Sequence, residues 1–328
     1  MTPPKTLVVS IDGLAENWSP EAWTKRFRDR LPGRRVVLWP AGASSVDGLD
    51  PATVSYMAVW KPPSGLIARF PKLEAVFNLG AGVDAIMADP TVPRDVPLVR
   101  VVNADLTQRM TEYIVLHVLM HHRQSRTLDA AQARSEWLPK EQWPSREVRV
   151  GILGMGELGI DAGEVLSRIG FQVAGWSRSA KTVAGLQCFS GSDGLAAFLA
   201  RTDILVALLP LTPDTRGILN RRLFAGLARD GRLGAPVLIN AGRGGLQVEA
   251  DILACLDDGT LGAATLDVFE TEPLPVASAL WSHPRVTITP HNAADSDPDA
   301  ISDYVVSVLT AYEQGRGLAN VIDRSRGY

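Results

Sequence analysis

The segment "VRVGILGMGELGIDAGEVLSRIGFQVAGWSRS", residues 148–179, constrains this chain more than any other. An apolar run of strand length enters a glycine cluster, a helix-forming stretch follows, and a second apolar run ends on Ser-Arg-Ser. Gly154, Gly156 and Gly159 stand in the order G-x-G-x-x-G. Alone that spacing is weak; between a strand and a helix, with a second strand about twenty residues on, it is the fingerprint of a dinucleotide-binding βαβ unit. Gly154 serves the tight turn. Gly156 lets a pyrophosphate approach backbone N–H groups at a helix N-terminus, and Gly159 lets helix and strand pack closely. Met155, Glu157 and Leu158 complete the loop.

The end of the second strand selects the dinucleotide. A carboxylate there would accept hydrogen bonds from a ribose 2′-hydroxyl. The residues present are Trp176, Ser177, Arg178 and Ser179, with Lys181 close by. A guanidinium flanked by hydroxyls binds a 2′-phosphate through charge-assisted hydrogen bonds. The expected cofactor is therefore NADP(H), with NAD(H) as the alternative.

Around this unit, short β-branched runs alternate with amphipathic stretches along the chain, which predicts an α/β protein with parallel sheets. "TLVVSI", "RRVVLWP", "YMAVW", "AVFNLG" and "LVRVVN" form a first series of strands, and "VRVGILG", "QVAGWS", "ILVALLP", "PVLINAG", "GAATLDV" and "VTITPH" a second. Between them, residues 105–133 carry Met110, Ile114, Leu116, Val118 and Leu119 at helical spacing without glycine or proline, which predicts one long helix crossing between two domains. A last helix is expected over "PDAISDYVVSVLTAYEQG", stopping at Gly315. Two series in one chain of 328 residues fit two domains, the second inserted in the first.

The charge balance is −3, so no basic field points to nucleic acid or anionic lipid. No window approaches the length of a membrane span, and the N-terminus lacks a signal-peptide layout, so a soluble, cytoplasmic protein is expected. Cys188 and Cys255 form no cluster and read as buried small hydrophobes. His117, His121 and His122 lack carboxylate partners at metal spacing and read as helix-surface or domain-interface residues. Trp137 and Trp143 read as packing or dimer-arm residues.

Three later segments bring chemistry to strand ends, where open parallel sheets bind ligands. "LINAGRGGLQVE" places Arg243 between Gly242 and Gly244, "ATLDVFETEPLP" gives Asp267 and Glu272, and "VTITPHNAA" ends at His291. Arg243 can hold a carboxylate bidentately and polarise a neighbouring carbonyl. His291 is the natural proton donor, because imidazole exchanges its proton near neutrality. Glu272 can accept from the other ring nitrogen and fix its tautomer. Asp267 either assists the nicotinamide amide or holds the turn.

With "NLGAGVDA", "LLPLTPDTRGILN", "HPRVTITPHNAA" and the terminal "DRSRGY", these motifs cover nearly the whole chain. In that order they resemble the D-isomer-specific 2-hydroxyacid dehydrogenases, more narrowly the glyoxylate/hydroxypyruvate reductase A type. The resemblance implies a Rossmann cofactor domain, residues 105–293, inserted in a flavodoxin-like substrate domain, residues 1–104 and 294–328, both doubly wound parallel sheets. It implies catalytic Arg243, Glu272 and His291, and a homodimer formed mainly through the cofactor domain. Leu79, Gly80, Ala81 and Gly82 would bind the substrate carboxylate through backbone amides, with Trp60 and Lys61 in the same pocket. Lys61 departs from the histidine expected there, which bears on substrate preference. Leu209, Pro210, Leu211, Ala241, Gly242, Arg243, Asp267, His291 and Ala293 would lie along the cofactor. The implied activity is NADPH-dependent reduction of small 2-oxo acids, glyoxylate and hydroxypyruvate first. The alternatives are an NAD-linked dehydrogenase of a larger D-2-hydroxy acid and a non-catalytic dinucleotide sensor of the corepressor kind.

Overall fold

The computed structural model describes residues 5–12, 18–80, 82–295 and 297–324. The chain divides into two compact units, Met1–Leu106 with Ser296–Tyr328, and Thr107–Asp295.

Among the described residues, the first unit holds five strands, β1 (Thr6–Ile11), β2 (Val36–Leu38), β3 (Val54–Trp60), β4 (Ala75–Asn78) and β5 (Leu98–Arg100), in the order β2-β1-β3-β4-β5. Every pairing is parallel. That order is the doubly wound arrangement of flavodoxin-like sheets. Side chains alternate across β1 with the period-two pleat. Leu7, Val9 and Ile11 enter one core with Trp23 and Phe27 of α1 (Pro20–Arg30), while Val8 enters the opposite core with Ile67, Phe70 and Ile86. Helix α2 (Asp84–Ala88) follows the glycine loop after β4.

The last helix, α9 (Pro298–Glu313), returns to this unit, where Ile301, Val305 and Leu309 join the core of α1. Its start is set by Asp297, whose carboxylate caps Asp299, and by Pro298 in the first turn. Gly315, with φ +84°, ends it as expected. Arg30 of α1 pairs with Asp299 and Asp303 of α9, fixing the two helices' register.

The second unit holds seven parallel strands: β6 (Arg149–Leu153), β7 (Gln172–Ser177), β8 (Gln187–Ser190), β9 (Ile204–Ala207), β10 (Val237–Asn240), β11 (Ala263–Leu266) and β12 (Val286–Ile288). Their order is β12-β11-β10-β9-β6-β7-β8. Counted within the unit this is the dinucleotide-binding order, extended by one strand, with its switch point between β6 and β9. The central strands are buried on both faces, as continuous apolar runs require. One face packs Val150, Ile152 and Val206 against α3 (Ala104–His122) and α5 (Glu157–Ile169); the other packs Leu153, Leu205 and Leu238 against Phe198, Phe224 and Leu256. Phe198, Phe224 and Leu256 come from α6 (Gly191–Ala200), α7 (Arg221–Ala225) and α8 (Glu249–Asp257).

Four expectations need correction. The single helix over 105–133 is two, α3 and α4 (Ser125–Ala133), because Gln124 turns into the left-handed region at φ +55°. That turn is tied down from outside: Gln124 donates to the Glu141 carbonyl at 2.8 Å and Arg123 to Gln142 Oε1 at 2.8 Å. Leu116 is off the buried stripe and 54% exposed. Conversely, the three histidines face inward: His117 and His122 are buried, and His121 Nε2 lies 2.8 Å from Thr265 Oγ1 on β11. Cys255 is buried as expected, but Cys188 sits half-exposed on the edge strand β8. Among the described residues, no helix is long and apolar enough to cross a membrane.

Candidate active site

At the switch point of the second unit the glycine loop leaves β6. Gly154 has φ +113°, and a Cβ there would stand 2.7 Å from the Leu208 carbonyl after β9. Both facts demand glycine. At Gly159 a Cβ would meet the Gly154 carbonyl at 2.0 Å, so the first turn of α5 packs directly on the loop. At Gly156, the N-cap of α5, nothing lies within 4 Å of an added Cβ. The helix N-terminus thus meets open space where an anion would approach. Loop and helix fit a pyrophosphate.

The other candidate cofactor residues divide into footing and rim. Met155 is buried with its sulfur under the loop, filling the place of a side chain on Gly175 of β7. Trp176 is also footing, a correction to its reading as a binding residue. Its ring is buried and its indole N–H donates to the Gly191 carbonyl at 2.9 Å. Ser177 is buried too, its hydroxyl donating to the Ser179 carbonyl. Arg178, Ser179 and Lys181 form the exposed rim. Lys181 Nζ reaches back to the Met155 carbonyl at 2.5 Å, joining the end of β7 to the glycine loop. Glu157 is exposed on the first turn of α5, and Leu158 half-buried. Leu209 is buried, with Pro210 and Leu211 half-buried after β9. The loop they begin is closed by Thr215, whose hydroxyl donates to the Pro210 carbonyl.

Arg243 follows β10 in a loop that its neighbours hold open. A Cβ on Gly244 would overlap the Phe269 carbonyl at 1.7 Å, so only glycine passes there. Buried Asn240 accepts from Gly242 N–H and donates to Gln247 Oε1 at 2.8 Å, while Gln247 donates to the Val268 carbonyl. Asn240 and Gln247 escaped the sequence reading; the only signal is a pair of amides flanking the glycines. Arg243 itself is half-buried and donates to the Gly242 carbonyl at 2.7 Å.

Glu272 and His291 come together. Glu272 Oε1 accepts from the Phe269 N–H at 3.1 Å, and Oε2 lies 2.7 Å from His291 Nδ1. An ionised carboxylate only accepts, so Nδ1 carries the proton and Nε2 is left to face solvent or ligand. Both side chains are partly exposed, 31% and 45%. His291 stands just past β12 at φ +54°, an uncommon conformation for a residue with a side chain. Asp267, buried at 1% exposure, holds it there. Its carbonyl accepts the His291 N–H at 2.8 Å, and its carboxylate accepts from the amides of Asn292 and Ala293. Oδ2 also accepts from the Ala293 amide, at 3.1 Å. Ala241 and Ala293 are buried beside these loops.

In the first unit, Trp60, Lys61 and Gly80 gather at the ends of β3 and β4. A Cβ on Gly80 would meet the Trp60 ring at 2.0 Å, so the indole lies directly against that backbone. Trp18 also packs on Trp60, with ring centroids 5.3 Å apart. Lys61 has φ +47° and places its ammonium 5.9 Å from the Trp60 ring centre. Asn78, another residue the sequence reading missed, donates to the carbonyls of Gly80 and Gly82 and shapes the loop. Leu79 differs from expectation: its N–H donates to the Val59 carbonyl and its side chain is buried, so it is not a donor for a ligand. Ala81 lies outside the described residues, as do the last four residues of the terminal motif.

Comparison with known proteins accords with this geometry. Residues 115–293, slightly more than half the chain, match the family described as D-isomer specific 2-hydroxyacid dehydrogenase, NAD binding domain. The glyoxylate/hydroxypyruvate reductase A of Serratia proteamaculans is 42% identical over 94% of this chain and 96% of its own. The chain belongs to the D-isomer specific 2-hydroxyacid dehydrogenase family. As a member of that family it is an NAD(P)-dependent oxidoreductase. Solved structures of the family agree over the whole length. An NADPH-dependent glyoxylate/hydroxypyruvate reductase from Sinorhizobium meliloti, in complex with NADP and sulfate, gives a TM-score of 0.91 at 46% identity, covering 99% of this chain and 100% of that one. A D-isomer specific 2-hydroxyacid dehydrogenase from Xanthobacter autotrophicus, in complex with NADPH and MES, gives 0.90 at 40% identity, covering 98% and 99%.

Proposed function

We propose that the protein reduces small 2-oxo acids, glyoxylate and hydroxypyruvate first, to 2-hydroxy acids with NADPH. The observation that carries this reading is the His291–Glu272 hydrogen bond at 2.7 Å, in the same unit as the glycine loop. The names of the relatives, glyoxylate/hydroxypyruvate reductases, support the substrate class. The absence of a carboxylate after β7, with Arg178, Ser179 and Lys181 at the rim, supports the 2′-phosphate.

When bound, the reduced nicotinamide supplies a hydride to the carbonyl carbon. The rest is the work of the chain's own side chains. Arg243 binds the substrate carboxylate and draws electron density from the ketone oxygen as charge develops on it. His291 delivers a proton from Nε2 to that oxygen, giving the hydroxyl group. Glu272 holds Nδ1–H, so the ring presents Nε2 to that oxygen. Amides of the Gly80–Gly82 loop, with Trp60 and Lys61, are assigned to the carboxylate pocket. Asp267 holds the His291 turn and offers Oδ2 to the carboxamide of the cofactor.

We also assign a homodimer built on the second unit. Leu116, Leu128 and Trp137, at 54%, 37% and 95% exposure, present apolar surface along α3, α4 and the arm that follows. Light scattering of the purified chain tests it.

The functional test is a panel of 2-oxo acids with NADPH and NADH. Turnover of glyoxylate and hydroxypyruvate with NADPH preferred is expected. NADH-linked turnover of larger 2-oxo acids alone would replace the reading with its NAD-linked alternative.

A further inference from the structure

Three polar side chains join helix α3 to the turn that carries His291. Tyr113 Oη lies 2.8 Å from Thr289 Oγ1, and Thr289 Oγ1 donates to Asp267 Oδ1 at 2.7 Å. The proton count sets the direction. A carboxylate has no proton to give, so the single hydroxyl proton of Thr289 goes to Asp267, and the Thr289 oxygen accepts from Tyr113. Tyr113 stays protonated: burial pushes its phenol well above the ordinary value, and the charge of Asp267 adds to this, against the hydrogen bond to Thr289. The ring is held in place by His117, whose centroid lies 4.2 Å away.

The far end of this chain is the backbone of residues 291–293. Asp267 grips all three N–H groups there, two through its carboxylate and one through its carbonyl. A left-handed histidine persists only where its surroundings over-determine it. Pro290, just before it, has no N–H with which to anchor the turn. Asp267 thus fixes the turn that carries the imidazole, and Thr289, itself held by Tyr113, supplies the one side-chain donor among the three that the described residues place on Asp267 Oδ1.

We propose that Tyr113 and Thr289 are positioning residues for His291, acting through Asp267 to seat the imidazole against Glu272. The inference rests on the reading of His291 as proton donor. It goes beyond that reading in assigning a functional part to a buried hydroxyl on a helix that carries none of the reacting groups. A phenylalanine would fill the same space and keep the packing, so the hydroxyl alone is at issue.

The test compares Tyr113→Phe, Thr289→Val and Thr289→Ser in the full-length chain, with glyoxylate and NADPH as probes. Tyr113→Phe is expected to lower kcat about tenfold while both KM values stay within about twofold, since misplacing a reacting group by a fraction of an ångström costs turnover rather than binding. Thr289→Val should lose at least as much, and Thr289→Ser should keep most of the wild-type kcat. A second readout needs no turnover: the His291 signals in an NMR spectrum of isotope-labelled histidine, assigned by their loss in His291→Asn, should shift in Tyr113→Phe. Unchanged kcat in Tyr113→Phe, or an unshifted His291 signal, overturns the proposal. If the wild type reduces no 2-oxo acid, the functional reading fails by itself, and the NMR comparison still decides whether the chain seats the imidazole.

Discussion

Nδ1 of His291 meets Oε2 of Glu272 at 2.7 Å, while the opposite oxygen of the same carboxylate accepts the Phe269 N–H at 3.1 Å. One carboxylate thus anchors to the backbone on one side and orients an imidazole on the other. Replacing Glu272 with alanine should remove the orienting bond without touching the glycine loop. The expected loss in kcat for reduction is about 10²–10⁴-fold, the usual worth of a positioned acid–base group, and His291→Asn should lose as much. The wild-type rate of reduction should fall as the solution is made more alkaline, because the ring must carry the proton it gives. Steady-state rates across pH check this; a profile flat into alkaline solution, with chemistry rate-limiting, would count against His291.

Arg243 is predicted to matter for binding and turnover together. Arg243→Ala should lower kcat/KM by about 10³-fold or more, equivalent to roughly 4 kcal/mol of transition-state stabilisation. Arg243→Lys should recover only part of it, because an ammonium lacks the planar fork that grips a carboxylate at two points. Near-normal kinetics in the alanine variant would remove Arg243 from the site.

Cofactor choice is predicted to turn on the rim after β7. Arg178→Asp puts a carboxylate where a 2′-phosphate would sit, and should raise KM for NADPH by about tenfold to a hundredfold while sparing NADH. Lys181→Met should have a smaller effect on both, since its ammonium also fastens the loop at the Met155 carbonyl. Initial-rate measurements with each cofactor decide it, and an intact NADPH preference in Arg178→Asp would refute the assignment.

Much of this was legible in the residue order, for identifiable reasons. Strands such as Thr6–Ile11 and Gln172–Ser177 are flanked by turn residues and uninterrupted in character, so their limits match the sequence pattern. Strand Gln187–Ser190 was invisible because an edge strand of four mixed residues has no period to detect. The break at Gln124 was hidden for another reason: its cause is a set of hydrogen bonds from residues 141 and 142, not a local helix breaker. Arg243, Glu272 and His291 stood out as reactive types at strand ends. The amides and hydroxyls that hold their loops, Asn240, Gln247, Thr289 and Tyr113, belong to types too common to single out. Trp176 shows the converse error, since proximity in sequence to the rim does not say which face of the strand a side chain takes.

The inward histidines of α3 give a prediction about stability. Burial, with the nearby His117 and Arg126, pushes His121 down to about 4 from its ordinary 6.5, and burial lowers His117 and His122 as well. The folded protein therefore holds these rings neutral, and the unfolded chain binds more protons below about pH 6.5. Their contribution is fully present above that pH and is lost as pH falls toward 4. In His121→Gln, whose amide can still meet Thr265, part of that proton uptake is absent. Its melting temperature should lie below wild type near neutrality, and the gap should narrow by roughly 3–6 °C between pH 6.5 and pH 4.5, for a linked free energy of about 1–2 kcal/mol. Calorimetric scans of both proteins across that range check it. Parallel pH dependences would mean that His121 does not take up a proton on unfolding.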